Sequence, residues 1–222
     1  KLWNVDDVVA GLSRMINLIS AGERVQYTIW IEEDQAKDPR KRDTDLFHFP
    51  VSHKTPFILV CAGCAYQMVA SYLEAFPVTV EVNRLCYSVS VLHYRIWKHN
   101  LRPAPVENLN IEKEGYSEAG FSAGGHLVAS LGTTNYGYQR WNLTKPGTLL
   151  LGYPMTIWEN MSRIHKHCRN TILGNRPLHA EIDEITILQH IDSKYPPTYI
   201  MHWKNDAIAQ FENSERLANH LN

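Results

Sequence analysis

Net charge is the first thing this chain lacks. Its 22 Lys and Arg stand against 23 Asp and Glu, for a formal net charge of −1 at pH 7. A protein that holds nucleic acid or an anionic bilayer electrostatically needs a basic excess, so both partner classes are disfavoured. Long apolar runs are missing too. The longest nearly uninterrupted one, Pro56 to Tyr66, falls far short of the ~20 residues of a spanning helix. No signal peptide is visible, although a chain that starts at Lys1 is open to prior processing. The expectation is a cytoplasmic protein, with secretion left open. Two N-x-S/T sequons, at Asn142 and Asn160, are no more than chance supplies.

Cysteine is scarce as well, and four in 222 residues make no disulfide framework. Cys61-Ala62-Gly63-Cys64 has the C-x-x-C spacing, but there is no second such pair and no suitably spaced Cys/His pair to complete a zinc site. Buried, apolar-type cysteines are the better reading. His165 and His167 straddle Lys166 in a polar segment, and i,i+2 neighbours do not share a helix face. No metal and no cofactor is expected.

What is present is an ordinary globular composition, 44% hydrophobic and 20% charged, at a length that suits one α/β domain over 1–222. Asp6 to Ile19 has helical apolar spacing after a candidate Asp cap, and Val25 to Ile31 alternates like a half-buried strand. Asp34 to Asp45 reads as a polar loop. Pro56 to Cys61 is a short apolar run typical of a strand covered on both faces. A helix is expected over Met68 to Asn83 and a strand over Tyr87 to Tyr94. Further on come a helix over His126 to Gly132, strands over Gly147 to Gly152 and Thr198 to Trp203, and a closing helix over Phe211 to Leu221. Strands alternating with helices predict a mostly parallel central sheet with helices on both faces. In such sheets chemistry sits beyond the carboxyl ends of the strands. One stretch resists this reading: Ile96 to the elbow leaves little room for a helix and a strand, and Tyr116-Ser117-Glu118-Ala119 is polar for a central strand. Residues missing from the sequence around 110–115 would explain it.

Gly120-Phe121-Ser122-Ala123-Gly124-Gly125-His126 is the most informative segment. Its G-x-S-x-G core is the pattern of an abrupt strand-to-helix turn that exposes a serine hydroxyl at the edge of a sheet. Glycines two residues to either side fit because strand and helix approach too closely for a Cβ.

Taken in order, several pieces resemble the α/β-hydrolase superfamily, in particular its acetyl-esterase and lipase-like branch with carbohydrate and xylan acetylesterases. They are Pro56 to Cys61 leading into Ala62-Gly63-Cys64-Ala65-Tyr66; Glu74-Ala75-Phe76-Pro77; Val91-Leu92-His93-Tyr94-Arg95; Pro103-Ala104-Pro105; the elbow; Leu151-Gly152-Tyr153-Pro154; and Pro196-Pro197-Thr198 running on to Asp206 and Glu212-Asn213-Ser214. The resemblance spans roughly residues 10 to 221 and implies an α/β-hydrolase fold. It further implies Ser122 as a nucleophile forming an acyl-enzyme, Ala123 as a backbone N–H donor to the oxyanion, and Asp206 as the triad acid.

Two departures stand out. Where relatives carry Gly-Gly-Gly-Tyr, this chain has Gly63-Cys64-Ala65-Tyr66. The Cβ atoms of Cys64 and Ala65 disfavour positive φ and crowd the oxyanion pocket, so negative φ is expected there, with donation from the two amides left open. The second departure concerns the family's catalytic histidine, which lies some tens of residues past the acid. Asn222 is sixteen residues beyond Asp206, so no histidine here can be carried over as the base. The C-terminal strand and histidine loop are the expected missing parts. His126 is expected to pack in the elbow, His202 to be a satisfied core residue within a strand, and His220 to lie on the surface.

The functional expectation is a serine carboxylic-ester hydrolase acting on small acyl esters, acetyl groups on carbohydrate among them. The alternatives are a catalytically impaired binding scaffold of the same fold and, third, a serine peptidase. The expected partner is a small-molecule ester, with a homo-oligomer left open.

Overall fold

A computed structural model of the chain describes residues 4–51, 56–96, 116–159 and 162–222. The Pro103-Ala104-Pro105 piece, the suspected gap around 110–115 and the Asn160 sequon lie outside the described residues.

Helix α1 (Val5–Ser20) starts from Asn4, not from an aspartate: the Asn4 side chain accepts the Asp6 amide, and Asp6 and Asp7 sit in the positively polarised first turn. Strand β1 (Gln26–Thr28) is shorter than its alternating pattern predicts. The segment expected as a polar loop contains a short helix, α2 (Glu32–Lys37), and a 3₁₀ turn over Pro39–Asp43. Acidic residues in the first turn of α2 and Asp38 capping the 3₁₀ turn supply end effects that a search for apolar periodicity does not register. Strand β2 (Asp45–Phe49) was not anticipated; its side chains are only partly covered until Phe49.

Strand β3 (Phe57–Cys61) is the continuous apolar run. The helix expected over Met68 to Asn83 is broken into α3 (Ser71–Glu74) and α4 (Phe76–Arg84), with Pro77 in the first turn of α4. A proline there has no N–H for the preceding turn, so a new helix begins. Strands β4 (Ser88–His93) and β5 (Ser117–Phe121) follow, then helix α5 (Ala123–Leu131) and strand β6 (Thr148–Gly152). Helices α6 (Arg163–Leu173) and α7 (His179–Ile185) occupy a stretch for which the sequence reading gave no element, and β7 (Thr198–Met201) and α8 (Glu212–Leu221) complete the described chain.

The seven strands form one sheet in the order β1-β2-β4-β3-β5-β6-β7. β1 and β2, and β2 and β4, pair antiparallel; the other pairs are parallel. The mostly parallel sheet expected from the sequence is therefore present. The polar segment before the elbow proves to be an interior strand, next to β3 at the middle of the sheet. β5 pairs with β3 on one side and β6 on the other, and this pairing overrides the weak intrinsic preference of Ser117 and Glu118. Helix α5 packs against the sheet with every residue but Ser130 buried.

The strand order reverses between β3 and β5: β4 lies on the far side of β3, while β6 and β7 follow β5 outward. At such a switch point the loops leaving two adjacent strands open a crevice beyond the carboxyl ends. Those two loops begin at Ala62 and Ser122.

Candidate active site

Ser122 joins β5 to α5 at φ 53° and ψ −119°, a conformation a non-glycine residue holds only under strain. Three backbone hydrogen bonds hold it there. Its N–H donates to the Gly152 carbonyl at 3.0 Å, and its own carbonyl accepts from the His126 amide at 3.1 Å and the Met155 amide at 3.3 Å. The glycines matter through space. A Cβ on Gly124 would lie 2.1 Å from the Cys61 carbonyl oxygen, and one on Gly120 would lie 2.4 Å from the Gly124 oxygen. The serine is half-buried, not sealed in the core.

Ala123 is the first residue of α5, where an amide has no partner within its own helix. The loop after β3 comes directly against this turn: a Cβ on Gly63 would lie 2.7 Å from Ser122 Cβ and 3.1 Å from the Ala123 nitrogen. Here the structure corrects the sequence expectation. Cys64, Ala65 and Tyr66 all adopt positive φ (110°, 54° and 57°), so the Cβ atoms did not drive the loop into negative φ. Among the described residues, the amides of Cys64 and Ala65 donate no hydrogen bond.

Side chains from distant parts of the sequence hold this strained loop. Glu74 Oε2 accepts the Gly63 amide at 2.5 Å, and Glu74 Oε1 accepts the Tyr153 hydroxyl at 3.1 Å. Burial raises the Glu74 pKa, and these two donors only partly offset it. Tyr94 donates its hydroxyl to the Ala62 carbonyl at 2.6 Å. Tyr66 donates to His126 Nδ1 at 2.8 Å, while His126 Nε2–H donates to the Ile185 carbonyl at 2.9 Å. His126 does pack in the elbow, where burial lowers its pKa to about 4. The single signal available from sequence was an isolated acid, Glu74, in an otherwise apolar stretch.

One test of this support is Tyr66→Phe, which leaves a buried ring nitrogen without its donor. The substitution is expected to cost about 1–3 kcal/mol, read as a lower urea midpoint. An unchanged midpoint would remove Tyr66 from the supports of the loop.

Asp206 follows β7. Its Oδ1 accepts the amides of Ile208 (2.7 Å) and Ala209 (2.9 Å), and its Oδ2 lies 3.7 Å from His202 Nε2. His202 lies just after β7, not inside a strand as expected, and its ring is fully engaged. Nε2–H donates to the Ala209 carbonyl at 2.8 Å, and Nδ1 accepts from the Ser214 hydroxyl at 2.6 Å. Tyr153 links the two halves of the site. Its amide donates to the Met201 carbonyl at the end of β7, its ring lies against His202, and it feels the Asp206 charge. Behind this, buried Asn213 of α8 accepts the Thr156 and Ile157 amides and donates to His165 Nε2 at 2.8 Å.

Among the described residues no histidine hydrogen-bonds Ser122. His165 and His167 do lie on a helix, α6, but on opposite sides, one buried and one exposed. His220 is exposed on α8. Cys61 and Cys168 are buried, whereas Cys64 and Cys86 are exposed, so only half of the cysteines match the apolar-type reading. Burial and the nearby Glu74 charge raise the Cys64 thiol pKa, which keeps it protonated. Among the described residues no group of three or more His, Cys, Asp or Glu is placed to hold a metal ion, and no helix is long and apolar enough to cross a membrane.

No family model and no curated protein matches the sequence. Solved structures do resemble the fold. An acetyl ester-xyloside bifunctional hydrolase from Caldicellulosiruptor lactoaceticus superposes with a TM-score of 0.74 at 24% identity, over 88% of this chain and 80% of that one. A lipase/esterase from Lactobacillus plantarum gives 0.66 at 16% identity over 80% and 81%. A carboxyl esterase 2 from the mycorrhizal fungus Tuber melanosporum gives 0.63 at 16% identity over 80% and 68%. With its strand-order switch point, tight serine turn and mixed, mostly parallel sheet, this chain has the α/β-hydrolase fold.

Proposed function

We propose that the protein is a serine carboxylic-ester hydrolase acting on small acyl esters, acetyl esters of carbohydrate included. The observation that carries this reading is Ser122 held at φ 53° against the Gly63 loop. Such strain persists where the surrounding structure over-determines it, and it clusters at sites of chemistry. In this reading Ser122 Oγ attacks the ester carbonyl and forms an acyl-enzyme that water then hydrolyses. The Ala123 amide, with Cys64 or Ala65, stabilises the oxyanion. Asp206 orients and stabilises the imidazolium of a histidine base. β5 and β7 flank β6, so Ser122 and Asp206 leave strands two spacings apart, ~10 Å. An imidazole hydrogen-bonded at both ends suits that gap. Asp206 Oδ1 is committed to two amides, which leaves Oδ2 for the ring. The acetyl preference draws on the likeness to the Caldicellulosiruptor acetyl ester-xyloside hydrolase, at 24% identity.

The test is covalent. A fluorophosphonate probe is expected to label wild-type protein at Ser122 and not Ser122→Ala, and p-nitrophenyl acetate turnover is expected to fall by at least ~10³-fold in that variant. Absent labelling, with turnover unchanged by the substitution, would defeat the proposal. The lack of a described histidine on Ser122 favours one second reading, a binding scaffold of the same fold. It predicts neither labelling nor turnover in the wild type.

A further inference from the structure

Helix α1 has one face docked onto the domain and a second apolar face left open. Gly11 and Leu18 are buried, and Met15 and one side of Leu12 pack on the core. Beside that docked face, Val5, Val9, Ile16 and Ile19 are 66%, 55%, 57% and 56% exposed. With partly buried Leu12 they fall at spacings of four, three, four and three residues. At 100° per residue the five side chains occupy an arc of about 80°. That is the width of a two-helix coiled-coil seam, and it lies directly alongside the docked face.

The charges around the seam discriminate between occupants. The only basic residue of α1 is Arg14, which faces the domain and donates to Asn83 Oδ1 and the Pro50 carbonyl. A helix meant to lie on an anionic bilayer carries Lys and Arg along its polar side, whereas α1 carries Asp6 and Asp7. The open flank of the seam is Ser13, Ser20 and Asn17, small uncharged residues that allow another helix to approach.

We propose that α1 pairs with α1 of a second copy of this chain, through Val5, Val9, Leu12, Ile16 and Ile19, in an antiparallel two-fold arrangement. A two-fold axis presents the same patch from both subunits, so the seam needs only to complement itself. Antiparallel packing separates the two Asp6-Asp7 pairs and opposes the helix dipoles, whereas parallel packing would bring four carboxylates together. Five side chains from each copy bury roughly 1,000 Å², at the lower bound of a specific interface, so the dimer forms at micromolar concentration.

Sedimentation equilibrium of the wild-type protein over about 5–200 µM is expected to show monomer and dimer only. Ile16→Lys and Val9→Lys, both at exposed positions, are expected to weaken the dimer by at least ~100-fold while leaving the thermal midpoint unchanged. Tyr199→Lys, on the exposed face of β7, is the control and leaves the dimer intact. Asp6→Asn is expected to change the constant by less than about twofold; a tightening of about tenfold or more would place like charges face to face and overturn the antiparallel arrangement. A wild-type monomer throughout, or a dimer lost in Tyr199→Lys but retained in the α1 variants, would overturn the seam. Fluorophosphonate labelling of Ser122 is unaffected by any of these results.

Discussion

Gly124→Ala is expected to destabilise the protein by at least ~3 kcal/mol and to abolish any activity that depends on Ser122. The added methyl group would sit 2.1 Å from the Cys61 carbonyl oxygen and 2.6 Å from that of Ala62. Both are backbone atoms at the end of a central strand, which no rotamer change can move. Relief requires α5 to withdraw from β3, which shifts the Ser122 turn and the Gly63 loop packed on it. Gly22→Ala separates this clash from simple loss of a glycine. Gly22 lies at φ 84° with nothing within 4 Å of an added Cβ, so only left-handed strain of about 1 kcal/mol is expected. Denaturant unfolding of both variants provides the comparison. Similar losses in the two would show that α5 is not held as closely as described.

The second large effect belongs to Glu118. It lies on β5, four residues before the serine, with no exposed surface, and among the described residues neither carboxyl oxygen has a hydrogen-bond partner. Tyr116 is beside it and acts against the effect of burial, but the tyrosine hydroxyl donates to the Thr144 carbonyl at 3.0 Å. Burial raises the Glu118 pKa from 4.5 to about 8. A raised folded-state value means that the unfolded chain releases its proton first. The stability from this group is therefore complete below pH 4.5 and is lost as pH rises to about 8. The loss amounts to roughly 3–5 kcal/mol.

His126 works in the opposite direction. Its pKa falls from 6.5 unfolded to about 4 folded, so stability is lost as pH drops through that window. From pH 4.5 to 6.5 the two groups oppose each other, and above 6.5 Glu118 acts alone. The wild-type unfolding free energy is expected to decline between pH 6.5 and 8, and Glu118→Gln is expected to flatten that decline. Glu118→Leu, of similar volume and apolar, is expected to be more stable than wild type at pH 8 by at least ~2 kcal/mol. A decline that persists unchanged in Glu118→Gln would assign it to another group.

These cases show which features were legible from local sequence. The Pro56–Cys61 run and the elbow were readable because each carries its cause locally: apolar side chains wanted on both faces, and glycines where no Cβ fits. β5 was hard to read because Ser117 and Glu118 are poor strand residues, held there by ladders to β3 and β6. β2 is equally a product of its partners, β1 and β4. The Gly63 loop departs from its sequence expectation for a related reason. Its φ values are set by Glu74, Tyr153, Tyr94 and the Tyr66–His126 pair, contacts reaching across 11 to 79 positions of sequence.

The residues by themselves determined an alternating α/β chain with a serine on a tight strand-to-helix turn, because backbone sterics and apolar period act over a few neighbours. Only the tertiary structure decided that the Gly63 loop lies against that serine, that Asp206 leaves a strand two positions away, and that Glu118 is fully buried in the core. Those outcomes depend on strand order and burial, which arise from packing between segments far apart in the chain.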